Sequence, residues 1–531
     1  MKKEYLVSAA QMQRYDSNTI EKIGIPACVL MERAAYAVAM EARELLVTKK
    51  TSRVLILAGN GNNGADGVCA GRILKEYGIK VSICLITNKD RYVEELQRQL
   101  DVAAYYDIPV QKKLPDSFEG YDLIIDALFG NGLNREISGT AKKAIELVNA
   151  SEASVVSVDI PSGIDATTGK VLGCAIKADV TVTFGFYKIG QLRYPGRMYC
   201  GRIGKARIGI NETAYFGEKP DWFTYLPKDQ VLKEDVSRDS MGNKGTFGKV
   251  LVVAGRASTT GAALLCASSA LRSGCGMVCV FTQEQNKEAF LTTLPEVIVE
   301  TYSTLDTEHD IKVKLHKWMD WSDVIVTGCG LLKDEFAYHM VKQILEEIDK
   351  PVVCDADALQ LIAEKQDLKE AVRKRKEAGN DWGSNVVFTP HPGELASLAG
   401  CSIADIKEER MTVVKQVLQE YPVILAAKDA DTLVCAEGYD TYLNTTGNDG
   451  LSTAGSGDVL AGLTASMIAQ QAGRRKTAII QEENSQDATI FEAVCKSVYL
   501  HGYAADVLAE ENGKSFLVAS DLIQAYKYIL K

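Results

Sequence analysis

The chain has 531 residues, 46% of them hydrophobic, and a formal net charge of -10. That length allows roughly two to four domains with large cores, and we expect two. The acidic balance, with no basic stripe interleaved with aromatics, argues against a nucleic-acid surface, so phosphate-bearing ligands must be held by local loops. Arg373-Lys374-Arg375-Lys376 is a short run that reads as a solvated helix face. The 13 cysteines lie mostly inside apolar runs and have no metal-ligand spacing, and there are only 5 histidines. They read as reduced core thiols of a cytoplasmic protein without a zinc site. No apolar region follows the basic start and no stretch reaches membrane-span length, so no membrane partner is expected.

Ser8–Ile20 and Pro26–Val47 carry apolar residues at helical spacing and predict a helical preface. Arg53–Ala58 is a continuous apolar run, as a buried parallel strand requires. It empties into the glycine loop Gly59-Asn60-Gly61-Asn62-Asn63-Gly64-Ala65-Asp66-Gly67, with a helix expected over Val68–Tyr77. Strands expected at Lys80–Ile86, Tyr121–Asp126, Ser154–Asp159 and Asp179–Phe184, separated by helix-length segments, predict a doubly wound α/β sheet. Ligands of such sheets lie beyond the carboxyl ends of the strands. Those ends carry Asn62, Asn63 and Asp66, then Asp126, then Asp159 with Ser162. The loop Phe129-Gly130-Asn131-Gly132-Leu133-Asn134-Arg135-Glu136 adds mobile glycines and one arginine suited to phosphate. A glycine loop alone is as readily a plain tight turn; the recurrence of polar residues at matching strand ends weighs toward binding.

These three motifs, Gly59–Gly67, Asp122–Gly132 and Asp159-Ile160-Pro161-Ser162-Gly163-Ile164-Asp165, resemble in order those of the NAD(P)H-hydrate epimerase family, over about residues 1 to 215. The resemblance implies a Rossmann-like domain that interconverts the R and S forms of hydrated NADH and NADPH. It places the dinucleotide on Asn62, Asn63, Gly64, Ala65 and Asp66 and on Gly130, Asn131, Gly132, Leu133, Asn134, Arg135 and Glu136. It places a potassium ion on Asn63, Asp126 and Ser162, an oxygen set that suits a hard monovalent cation. Asp159 is the expected acid/base and substrate contact, because epimerising a hydroxylated carbon needs a proton shuttle. Ala65 stands where the family usually has glycine and is expected to put a Cβ near the ligand.

Asn211–Val236 has alternating charge, two prolines and no sustained apolar period. The division expected is 1–215, a linker at 216–235, and a second domain at 236–531. In that domain Asn243–Lys249 leads into a strand at Val250–Gly255 and a helix at Ala262–Ser273. Further strands are expected at Met277–Phe281, Asp323–Thr327, Pro351–Asp355, Asn385–Thr389, Pro422–Ala426 and Thr432–Cys435. His391, between two prolines at a strand end, can meet a ligand or cap the next helix. Lys428 can line a nucleotide or be an ordinary surface lysine. Asn444–Asp458 runs glycines and hydroxyls into one carboxylate and then a helix. That is an anion hole with a base beside it, or a simple cap at Asp458. Helices at Gln486–Glu511 and Ser520–Lys531 read as outer-layer packing.

The order Asn243-Lys244-Gly245, Leu294-Pro295-Glu296, Asp355-Ala356-Asp357-Ala358-Leu359, Thr389-Pro390-His391-Pro392-Gly393-Glu394 and Thr453–Gly462 is similar to that of the NAD(P)H-hydrate dehydratase family of the ribokinase-like fold. With the first half, the whole chain resembles the fused bacterial NAD(P)H-hydrate repair proteins. The resemblance implies dehydration of the S hydrate, NADHX or NADPHX, coupled to cleavage of ADP to AMP and phosphate. It puts the hydrate on Ala262, Gly330, His391 and Asp458, and the nucleotide on Lys428, Asp429, Ala430, Asp431, Thr432 and Gly457. Asp458 is the expected base and Mg²⁺ the expected divalent ion. Two departures are Gly328-Cys329-Gly330-Leu331-Leu332 for Gly-Pro-Gly-Leu-Gly, and Lys428-Asp429 for Lys-Gly, where Asp429 would repel phosphates unless it points away or faces a cation. The alternative is a small-alcohol kinase of the same fold joined to a nucleotide-binding sensor module. A homo-oligomer is also expected.

Overall fold

The computed structural model describes residues 2–47, 52–87, 92–225, 241–303, 305–377, 385–477 and 490–530, with backbone alone at 376–377 and 473–477. The chain divides into two compact units, Tyr5–Trp222 and Phe223–Lys531 with Met1–Glu4.

The first unit holds an all-parallel sheet in the spatial order Val110–Gln111, Lys80–Leu85, Arg53–Ala58, Leu123–Ala127, Ser154–Val158, Val180–Phe184, Arg202–Ala206. The central strands are the expected ones, because a strand covered on both faces must be apolar throughout. The helical preface forms as Ala9–Ser17, extended by a wide turn to Ile23, and Ala27–Leu46.

One boundary differs with consequences. The helix expected from Val68 begins at Asn62 and runs to Glu76, so Asn62–Asp66 form its first turns and only Gly59–Gly61 are loop. Apolar periodicity is blind here because the packing face is glycine. A Cβ at Gly64 would fall 2.1 Å from the Gly59 carbonyl oxygen, and one at Gly67 would fall 2.4 Å from the Ala127 Cβ. Close backbone approach, not a flexible turn, is what these glycines supply. Ala65 is fully buried and belongs to the hydrophobic core of this unit.

The second unit carries seven parallel strands in the order Ile298–Tyr302, Met277–Gln283, Lys249–Val253, Val324–Thr327, Val352–Cys354, Val386–Phe388, Ile424–Ala427. The antiparallel strands Leu433–Cys435 and Thr441–Leu443 follow. Trp222–Tyr225, within the stretch read as linker, is a strand of this sheet, and Phe223 and Tyr225 bury their rings 5.4 and 4.9 Å from that of Tyr442. Residues 226–235 of the expected linker and 486–489 of the expected helix lie outside the described residues; that helix is described as Ile490–Asn512, and the last as Ala519–Ile529.

Arg375, read as part of a solvated face, is instead buried. Its guanidinium donates to the carbonyls of Ile344 and Leu345 at 3.3 and 3.2 Å, in the last turn of helix Glu335–Glu347. It satisfies carbonyls that a helix end leaves without partners.

Candidate active site

In the first unit the carboxylate-bearing strand ends expected from sequence do converge. Asp126 is fully buried; its Oδ2 accepts from Ser157 Oγ and the Ser162 N–H, each at 2.8 Å, and its Oδ1 accepts from Ser162 Oγ at 2.5 Å. Burial pushes its pKa up against these donors. Asn63, in the first turn of its helix, sits over the second loop, since a Cβ at Gly130 would lie 3.1 Å from Asn63 Oδ1. Asn60 Oδ1 and Asn63 Nδ2 are buried without a hydrogen-bond partner, a costly arrangement that marks a place for a polar ligand. In the loop itself Leu133 packs on the core under the sheet, while Asn134, Arg135 and Glu136 are exposed.

Asp159 adopts the left-handed region, φ +64°, just past its strand, a conformation that a non-glycine residue keeps only when its surroundings hold it there. They do. Its Oδ1 accepts from the Phe184 N–H at 3.0 Å and from the fully buried Lys188 ammonium, and its carbonyl accepts from Gln191 Nε2 at 2.6 Å. The ammonium also donates to Thr183 Oγ1 and the Phe184 carbonyl at 3.0 and 3.2 Å. Burial lowers the Lys188 pKa, and Asp159 opposes that shift. Asp66 and Asp16 complete the cluster: burial first, and then the charge of Asp159, raise both, Asp66 well above the usual carboxylate range. Lys188 and Asp16 were missed from sequence. Lys188 lies in a short apolar stretch after the last predicted strand and Asp16 in the preface, and only the fold brings them to Asp159.

In the second unit four strand or loop ends meet. Asp458 stands in the first turn of helix Ser456–Thr477. One donor atom each from Asp458, Asp355 and Cys329 lies within 4.8 Å of the others. Burial, and then the nearby Asp355 carboxylate, push Asp458 up to about 6. Asp355 begins helix Ala356–Glu364 yet does not cap it; its Oδ1 accepts from Lys428 Nζ and Thr389 Oγ1, each at 2.8 Å. Gly457 closes the ring, since a Cβ there would lie 3.1 Å from Lys428 Nζ and 3.5 Å from Asp355 Oδ2. Ala262 and Gly330 touch on the same rim, a Cβ at Gly330 falling 3.0 Å from that of Ala262.

His391 takes the cap role. Its Nδ1 accepts from the N–H groups of Gly393 and Glu394 at 3.0 and 3.3 Å, while the ring stays exposed. Nε2 lies 3.2 Å from Glu394 Oε1, and burial pushes Glu394 up to about 7. Asp429 faces a cation: Arg410 lies 3.7 Å from one of its oxygens, while the other accepts from the Ala430 N–H at 2.8 Å. Asp431, placed with the nucleotide by resemblance, is buried, and its carboxylate is taken by Arg410, an ion pair internal to the fold. Ala430 is exposed, and Thr432 Oγ1 accepts weakly from the Asp429 N–H at 3.4 Å.

The altered loop carries a strain. Gly328 and Gly330 have φ of +112° and +58°, and Leu332, where the family has glycine, has φ +62° with its N–H held 2.8 Å from Asp357 Oδ2. A side chain in that region costs about 1–2 kcal/mol, partly offset by what glycine loses in entropy. Leu332→Gly is therefore expected to raise stability by about 1 kcal/mol, read as a higher urea midpoint; a lower midpoint would show that the loop holds no such strain.

The helix Ile490–Asn512, read as packing, is what shapes the glycine turn. Asp506 accepts from the Gly447 N–H and Asn448 Nδ2, each at 2.9 Å, and the Tyr499 carbonyl accepts from Thr446 Oγ1 at 2.8 Å. His501 Nε2 lies 3.0 Å from the Ser456 carbonyl oxygen. These contacts join residues about 45 to 59 positions apart and leave no local signal in the sequence.

Comparison with known proteins covers the whole chain. The family model described as NAD(P)H-hydrate dehydratase matches residues 250–527, and that of the YjeF-related protein N-terminus matches 27–190. The bifunctional NAD(P)H-hydrate repair enzyme Nnr of Moorella thermoacetica is 31% identical, with 99% of this chain and 97% of the relative aligned. That of Escherichia coli is also 31% identical, over 98% and 93%. A solved Bacillus subtilis ADP/ATP-dependent NAD(P)H-hydrate dehydratase, co-crystallised with ATP and Mg²⁺, aligns at 26% identity over 55% of this chain and 92% of its own, with a TM-score of 0.44. Among the described residues no helix is long and apolar enough to cross a membrane. The chain belongs to the bifunctional NAD(P)H-hydrate repair enzymes.

Proposed function

We propose that the second unit dehydrates the S hydrates of NADH and NADPH with cleavage of ADP to AMP and phosphate, and that the first unit interconverts the R and S hydrates. The observation that carries the dehydratase reading is Asp458: a half-buried carboxylate near Lys428 and Asp355, in the first turn of a helix, where backbone N–H groups lack partners within the helix. Hydroxide leaves the hydrated nicotinamide ring poorly. Asp458 takes the proton of the ring hydroxyl as that oxygen forms a bond to the β-phosphorus of ADP, and the bond from phosphorus to the AMP oxygen breaks. The ring nitrogen lone pair then expels phosphate and leaves an iminium, and loss of a proton from the adjacent ring carbon to the departing phosphate or to water restores the dihydronicotinamide. The N–H groups of Gly455 and Gly457 stabilise charge on the phosphoryl group in flight, whereas that of Ser456 donates to the Thr453 carbonyl at 3.4 Å. Mg²⁺ fits here: Asp355 Oδ2 is the oxygen not used by Lys428 or Thr389, and a hard divalent ion takes one or two carboxylates together with phosphates. When bound it supplies charge neutralisation for the phosphates.

In the first unit Asp159 is the proton carrier of epimerisation, fixed by Lys188 and flanked by Asp66 and Asp16. Potassium on Asn63, Asp126 and Ser162 fits the residues present, because among the described residues the partners of buried Asp126 are hydroxyls and backbone N–H groups without charge. It would supply a fixed positive charge for ligand oxygens.

The test is product analysis. Mixed R and S NADPH hydrate is given ADP or ATP, and dihydronicotinamide absorbance and phosphate are followed. Full recovery of both forms with one phosphate per turnover is expected. No recovery with either nucleotide would sink the dehydratase reading, and a stable phosphorylated product would favour the small-alcohol kinase. Recovery of the S form alone would leave the first unit without its activity.

A further inference from the structure

His501 is buried on helix Ile490–Asn512, and its Nε2 lies 3.0 Å from the Ser456 carbonyl oxygen and 3.3 Å from Ser456 Oγ. A ring nitrogen that close to a carbonyl is the donor, which sets the Nε2–H tautomer. Burial pushes the ring down to about 4, so at neutral pH it is uncharged. The carbonyl it holds belongs to the same peptide group as the N–H of Gly457. That group is planar and trans, so its C=O and N–H point in opposite directions. Gly457 lies in the first turn of its helix, where the N–H has no partner within the helix. A Cβ built on Gly457 would lie 3.1 Å from Lys428 Nζ and 3.5 Å from Asp355 Oδ2, so this residue borders the ring of charged groups.

We propose that His501 is a positioning residue for phosphoryl transfer, and that by fixing the Ser456 carbonyl it aims the Gly457 N–H at the oxygen where charge develops. The same helix holds the start of the turn through Asp506, and rotation of the peptide at Ser456 would break the His501 contact. The inference rests on the phosphoryl-transfer reading of this site.

The experiment compares the full chain with His501→Leu and His501→Gln, measuring kcat and nucleotide KM for the dehydratase and the epimerase rate as a control. Losing one aimed donor costs about 10²-fold in turnover. His501→Leu is expected to lower kcat at least ~10-fold, with nucleotide KM within about threefold and epimerase rate unchanged. His501→Gln, which keeps an amide donor, is expected to recover most of it. A His501→Leu enzyme with wild-type kcat, or a glutamine variant as slow as leucine, would overturn the assignment. If the leucine variant does not fold, ring ¹⁵N shifts of the unaltered protein decide: the Nε2–H tautomer supports the inference and the Nδ1–H tautomer overturns it. An unaltered chain that restores absorbance without consuming nucleotide would refute the phosphoryl-transfer reading instead.

Discussion

Asp458→Ala is expected to lower dehydratase turnover by about 10²-fold or more while nucleotide binding persists, because the general base is removed and the phosphate-facing N–H groups remain. The unaltered enzyme carries a second signature. Burial and the Asp355 charge place the Asp458 carboxyl at about 6. A base must be ionised to act, so kcat is expected to rise as pH passes upward through about 6 and to level off above it. That limb should vanish in Asp458→Ala. A variant that keeps both turnover and the limb would remove Asp458 from the chemistry.

The second large effect is on stability. Lys188 is fully buried, and three oxygens accept from its ammonium. Lys188→Met removes the positive partner and leaves the Asp159 carboxylate buried among Asp66 and Asp16. Breaking a buried pair in this way costs about 3–5 kcal/mol. Urea unfolding followed by a probe in the first unit should show that loss, together with loss of epimerisation. Lys188→Met with Asp159→Asn removes both charges and is expected to regain most of the stability but none of the activity. An unchanged midpoint in Lys188→Met alone would show that the pair does not hold Asp159 in place.

Legibility followed burial and locality. Arg53–Ala58 and Leu123–Ala127 declared themselves because strands covered on both faces are apolar throughout. Edge strands such as Arg202–Ala206 and Ile298–Tyr302, half exposed and mixed in composition, did not. The start of helix Asn62–Glu76 was hidden because its packing face is glycine, which carries no hydrophobic signal. Motif residues with a local pattern lie at strand and helix ends, Asp126 and Asp159 in the first unit, Asp355 and Asp458 close together in the second. Lys188, Asp16, Arg410 and His501 act through the fold across long sequence separations, and nothing nearby in the chain announces them. Asp431 and His391 carry contacts within the scaffold as well, one an ion pair with Arg410 and the other a helix cap made by a ring that stays exposed.

The brace that helix Ile490–Asn512 lays on the glycine turn sets an order of events during synthesis. The Gly455–Asp458 segment leaves the ribosome before His501 and Asp506 do, so every residue of the turn is present while nothing yet fixes its peptide planes. Domains fold as units as the chain emerges, the N-terminal one first. The first unit can therefore mature on a nascent chain, whereas the second withholds its aimed donors until its last helices have docked, and a chain released early would carry the acid without the hole.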